Sequence, residues 1–180
     1  MARYLIPPIV VALGLALVGY LARNDKPAPQ PAYGQQATQP AQVDPKAGGA
    51  DVWRQISTGG YQGWAPFPGL PAGYYQGTQP HGALLKIYAN RAMFTAPDQP
   101  PDGTIIVKEN YGNDRRLATV TLMRKVKGFD PANQDWWWGQ FGPGGLVQES
   151  GVVPACIGCH RNAQGGDYLF SNDKGRSGGK

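Results

Sequence analysis

Between residues 83 and 141 the sequence repeats one pattern four times: a short run rich in β-branched, aliphatic or aromatic residues, then a cluster of residues that bend the chain. The runs are 83–89 (ALLKIYA), 104–111 (TIIVKENY), 117–126 (LATVTLMRKV) and 135–141 (DWWWGQF), and PPDG, YGNDR and GFDPANQ lie between or beside them. Such segments read as strands, and short polar turns between strands make neighbours antiparallel. In the third run Ala118, Val120, Leu122 and Val126 alternate with Thr119, Thr121 and Lys125, the period of a half-buried strand. The fourth puts Trp136 and Trp138 on one face and Trp137 on the other. With 26 glycines and 17 prolines in 180 residues, a helical bundle is disfavoured, and the absence of a three-residue glycine period excludes collagen. Ahead of the strands, Asp51 reads as the N-cap of a short helix over VWRQIS. Residues 59–80 then form a Gly/Pro-rich loop carrying Tyr61, Trp64, Phe67, Tyr74 and Tyr75. The expected fold is mainly β (α+β), an antiparallel meander with a few short helices.

The N-terminus is of a different kind. Residues 4–22 carry no charge and follow Met-Ala-Arg, and at about 1.5 Å per residue they reach about 30 Å, enough to cross a bilayer as a helix. A cleaved signal would want small residues just before the cut, and Tyr20 breaks that pattern near Ala22, so the reading favours a retained single-pass anchor over residues 1–23. Residues 24–50, rich in Pro, Gln and Ala without hydrophobic periodicity, read as a tether. Residues 51–173 are the folded domain and 174–180 a basic tail. The domain is thereby expected on the periplasmic side of a bacterial inner membrane, or free in the periplasm if the signal is cut.

Charge follows the same division. The net +5 comes from the termini: four basic against two acidic residues before position 51, and three basic residues in the tail. Between Asp51 and Asp173, ten basic residues balance ten acidic ones. A nucleic-acid surface would need excess cations on the folded domain, so no nucleic-acid partner is expected.

Both cysteines lie in Cys156-Ile157-Gly158-Cys159-His160. Two thiols at that spacing can add across the vinyl groups of a haem while the adjacent imidazole ligates its iron, so the motif is read as attachment of one haem c, with His160 the proximal ligand. A zinc site would need further ligands, for which His81 and carboxylates are the only remaining donors. A dithiol redox motif would want a βαβ setting that this chain lacks. For the opposite axial position the strong donors are His81, in Pro80-His81-Gly82, and Met93 and Met123, for both of which core filling is the simpler role. Lys108 follows three apolar residues in a run that reads as buried on both faces. A cation there must be neutralised, paired with a group such as Glu109, or consumed.

The order of PHG before a strand, YAN closing it, DGTIIVKE, VTLMRKVKGFDPANQDW, CIGCH and DYLF resembles the cytochrome P-460 family, from about Trp53 to Phe170. The resemblance implies an antiparallel sheet with a few helices packing one c-type haem, and a homodimer or a subunit of a membrane complex. It also implies a third covalent bond, from a lysine nitrogen to a haem meso carbon, for which Lys108 is the counterpart. In members that oxidise hydroxylamine a polar residue assists proton removal over the distal face; Glu149, in Gln148-Glu149-Ser150 on the approach to CIGCH, and His81 are the candidates. Phe94 and Trp138 are the candidate aromatics of the pocket. The implied function is a tethered cytochrome that oxidises hydroxylamine and passes electrons to a redox partner protein. The alternatives are an electron carrier tethered to a membrane complex and a nitric oxide binding protein like the related cytochromes c-prime-beta.

Overall fold

Residues 47–163 and 166–170 are described by a computed structural model of the chain. The expected anchor, most of the tether and the tail lie outside the described residues. Among those described, no helix is long and apolar enough to cross a membrane.

All four expected strands form, each trimmed by one residue at one end where the turn takes over. After helix α1 (Gly49–Thr58), strands β1 (Ala65–Pro66) and β2 (Tyr75–Gln76) both pair with one edge of β3 (Leu84–Ala89). The sheet continues as an antiparallel meander through β4 (Ile105–Tyr111), β5 (Leu117–Lys125), β6 (Trp136–Phe141) and β7 (Val147–Gly151), and helix α2 (Pro154–His160) follows. Three of the seven strands were not expected. β1 and β2 are two residues each, too short for any periodic signal. β7 replaces the expected loop approach around Glu149, because its VQESG carries three exposed residues and so shows no apolar alternation. The helix also starts earlier than read: Gly48 is its N-cap, and Asp51 sits in the first turn, paired with Arg54.

Because side chains alternate along each strand, the sheet has two covered faces. On one, α1 lays Val52 and Ile56, both fully buried, against Val107, Val120, Leu122, Trp137 and Phe141. Helix and sheet approach closely there because α1 starts at Gly49, where a Cβ would lie 2.7 Å from Val147 and 2.9 Å from Ser150. The other face packs Ile106, Met123, Trp136 and Trp138 against Met93, Val153, Leu169 and Ile157 of α2. Trp136 and Trp138 thus share a face opposite Trp137, as their alternation requires, while Met93 and Met123 fill the core.

The α1 face also holds an acid. Glu109 is 1% exposed and its carboxylate accepts four hydrogen bonds: Tyr61 and Gln62 donate to Oε1, both at 2.9 Å, and Tyr88 and Tyr111 to Oε2, at 3.2 and 2.5 Å. A buried carboxylate is tolerable only with its lone pairs occupied, and these donors occupy them. Replacing it with an apolar residue strands buried hydroxyls, so Glu109→Leu should lower the unfolding free energy by about 3 kcal/mol, read as a drop in denaturation midpoint.

The same cluster sets an alkaline limit. Burial, reinforced by the Glu109 carboxylate, pushes the Tyr88 phenol up to about 12 and those of Tyr61 and Tyr111 higher still; burial alone takes Tyr75 to about 12. The unfolded chain ionises first as pH rises past 10, so these phenols contribute fully to stability below pH 10 and lose that contribution on the way to pH 12. Tyrosinate absorbance of these four residues should therefore appear together with loss of the far-ultraviolet circular dichroism signal, rather than ahead of it.

Candidate functional site

The α2 face of the sheet is crossed by a row of register partners: Ile87 in β3, Lys108 in β4, Thr121 in β5, Gln140 in β6 and Glu149 in β7. The next row is Ala89, Ile106, Met123, Trp138 and Gly151. Opposite these rows lies α2, opened by Pro154, whose fixed φ suits a first helical turn. Ile157 is buried in the core, which orients the helix. Cys156 and His160, four residues apart, fall on one side of it, and both cysteines are free thiols. Cys156, His160, His81, Lys108, Thr121, Met123 and Trp138 line one cavity between sheet and helix.

His160 is held on several sides. Its Nδ1 lies 2.8 Å from the carbonyl oxygen of Tyr168. A carbonyl only accepts, so Nδ1 carries the proton and Nε2 keeps its lone pair. The Trp138 ring meets the imidazole edge to face at 4.9 Å and Phe170 does so at 5.3 Å. Burial holds its pKa below the usual histidine range, the Tyr168 carbonyl opposing and the Lys108 cation adding to the shift. The imidazole therefore stays neutral at neutral pH, the form that donates to a metal.

Facing it, with ring centroids 6.3 Å apart, is His81. Asn110 fixes this second imidazole. The Asn110 Nδ2 donates to the Lys108 and Thr119 carbonyls and to Thr121 Oγ1, which turns its Oδ1 toward His81 Nδ1 at 3.2 Å. Glycine follows His81 for a steric reason: a Cβ on Gly82 would lie 2.6 Å from the Tyr111 backbone nitrogen. Burial, then the Lys108 and His160 charges, press the His81 pKa down to about 4.

Lys108 points into the same cavity, while its sequence neighbour Glu109 lies on the opposite face. The pairing of the two that sequence leaves open is thus prevented by the pleat. Among the described residues no carboxylate pairs with Lys108. Burial lowers its ammonium to about 8, partly offset by the nearby Cys159 sulfur. Burial thus favours the unprotonated, nucleophilic form of this amine more than water does.

The remaining sequence candidates are placed differently. Glu149 is exposed on β7, three strands from Lys108, or about 14 Å at ~4.8 Å per strand. It is near enough to Cys156 to add to the burial that raises that thiol's pKa. Phe94 is 43% exposed in the turn after β3 and does not line the cavity, whereas Trp138 does. Residues that sequence reading missed are Asn110 and Thr121, which orient His81, and the Tyr168 carbonyl. A main-chain acceptor has no side-chain signature, although the proximity of DYLF to CIGCH in sequence was a usable hint.

This collection fits a flat, acidic, iron-bearing macrocycle. Among the described residues it offers two free thiols, one of them lining the cavity, an imidazole with an uncommitted Nε2, an amine without a carboxylate partner, and the buried Trp138 Nε1 without a hydrogen-bond partner. A bare metal ion fits less well, since no three His, Cys, Asp or Glu side chains converge among the described residues. No curated protein matches the chain. A family model described as cytochrome P460 matches residues 60–171, well over half of the sequence and all seven strands. The chain belongs to the cytochrome P460 family and is accordingly a cytochrome with a haem cofactor.

Proposed function

We propose that this protein is an exported, membrane-tethered cytochrome with one haem c that oxidises hydroxylamine and hands the electrons to a redox partner protein. The observation that carries the reading is the single cavity in which Cys156 and His160 from α2 meet Lys108 from β4. Cys156, which lines it, and Cys159, exposed on the same helix, would supply the thioether sulfurs and His160 Nε2 the iron bond, with Nδ1 already committed to Tyr168. Lys108, an amine kept partly neutral by burial and without a carboxylate partner, is suited to a further covalent link to the macrocycle. The iron, when bound, supplies one-electron chemistry and a coordination position for a small nitrogen ligand. His81 is a proton acceptor in the same cavity as His160, held in orientation by Asn110 and neutral at working pH; Glu149, exposed on β7, is less well placed. Export and tethering are supported by the uncharged run at residues 4–22 and the Pro/Gln/Ala-rich segment after it, a linker that would raise local concentration near a membrane-bound electron acceptor. Association as a homodimer, or as a subunit of such a complex, rests on the family resemblance.

A second reading, a tethered electron carrier, is favoured by one feature. His81 shares the cavity with His160 and has its own Nε2 uncommitted, so it is a possible second axial donor. A nitric oxide binding protein is the corresponding outcome if Lys108 stays unlinked and the iron stays open.

Peptide mapping of natively produced protein should find haem mass on the peptide containing Cys156 and Cys159 and also on that containing Lys108. Lys108→Arg should release the second and leave the first. A haem-free Cys156 peptide would refute the whole reading.

Hydroxylamine added to the ferric protein should change its visible spectrum, and His81→Leu should lower turnover about 100-fold, the usual scale for losing a positioned proton acceptor. A low-spin spectrum indifferent to hydroxylamine, converting to high-spin in His81→Leu, would instead establish the electron carrier.

A further inference from the structure

The carbonyl that orients His160 sits in an unusual piece of backbone. Asp167 and Tyr168, neither of them glycine, both adopt left-handed conformations, with φ of 51° and 62°. Such conformations persist only where the surroundings enforce them. The surroundings here are specific. Lys125, at the end of β5, forms an ion pair with Asp167, and the two side chains are 15% and 11% exposed. The Trp136 indole N–H donates to both the Asp167 side chain, at 3.0 Å, and its carbonyl, at 3.1 Å. The Lys125 ammonium lies 4.8 Å from the centre of the Trp136 ring, closing a three-way contact. On the next residue the Tyr168 hydroxyl donates to Asn133 Oδ1 at 3.2 Å, and Arg161, directly after His160, donates to the same oxygen at 2.8 Å. The turn is thus pinned on both sides of the one carbonyl that His160 uses.

We propose that the Lys125–Asp167 ion pair, anchored by Trp136, is the positioning device for His160: it holds residues 167 and 168 in the turn that presents the Tyr168 carbonyl to Nδ1, and so sets how strongly Nε2 donates to iron. A hydrogen bond to Nδ1–H increases the basicity of the opposite nitrogen, and outer partners of metal-bound histidines act in this way. Lys125 and Asp167 are positioning residues, since neither lies against the cavity that His160 faces. The inference rests on the reading of His160 as the iron ligand.

The test uses the full chain carrying its haem and two readouts that a purely structural role would leave alone: the iron–imidazole stretching frequency by resonance Raman and the midpoint potential. Asp167→Ala should lower the frequency and raise the potential, because a weaker hydrogen bond makes the imidazole a poorer donor to ferric iron. Lys125→Met should shift both the same way. Asp167→Asn, which keeps an acceptor for Trp136 and tolerates the left-handed backbone, should shift them less. If Asp167→Ala fails to accumulate, Lys125→Met and Asp167→Asn carry the comparison. Wild-type frequency and potential in the folded variants would overturn the inference while leaving His160 as ligand. An iron–imidazole band that survives in His160→Ala would overturn the underlying reading, and the inference with it.

Discussion

Lys108 and Glu109 are adjacent in β4, and the pleat of one strand sends them to opposite faces of the sheet. Each face is covered, so each charge must be dealt with locally. The acid meets three phenols and an amide on the α1 side. The base meets two imidazoles, a cysteine sulfur and, among the described residues, no carboxylate on the α2 side. A sheet that paired the two would have neutralised both and left neither face distinctive. Because it separates them, one face is a satisfied polar core and the other keeps an amine that no carboxylate pairs with among the described residues.

The α2 face is organised around that imbalance. Both imidazoles have Nδ1 taken up by an oxygen, from Asn110 in one case and Tyr168 in the other, and both stay neutral because burial and the neighbouring cation oppose protonation. Two neutral imidazoles, one free thiol and an amine without a carboxylate partner among the described residues share one cavity, a set of groups that the Glu109 side does not offer. The supporting shell is built from elements far apart in sequence: Asn110 on β4, Trp136 on β6, Lys125 on β5 and the turn after α2. Membership of the cytochrome P460 family gives the chain its cofactor class, and the arrangement of its own residues brings His160 and His81 face to edge in this cavity.

Much of this was legible in the residues. Strands β3 to β6 announced themselves through β-branched and aromatic runs between turn residues, and the opposition of Trp137 to Trp136 and Trp138 follows from a two-residue period. CIGCH marked the site, since it holds every thiol in the chain. What was not legible has a common cause. Strands β1 and β2 are too short to carry a period, and β7 is a strand because β6 offers it an edge rather than because VQESG favours one. Its exposure likewise decides that Glu149 faces solvent. Phe94 lies one residue from buried Met93, and the turn that buries one exposes the other.

Sequence by itself determined the alternation that divides the sheet into two faces, the grouping of both thiols and an imidazole in CIGCH and the balance of charge between Asp51 and Asp173, because each depends on local order along the chain. Tertiary structure decided which groups meet. Whether Lys108 finds Glu109, whether His81 and His160 share a cavity, and which carbonyl orients His160 all depend on register between strands and on where α2 lands. These are set by packing Ile157 and the tryptophans into a common core, a sum over contacts distant in sequence that no short segment encodes.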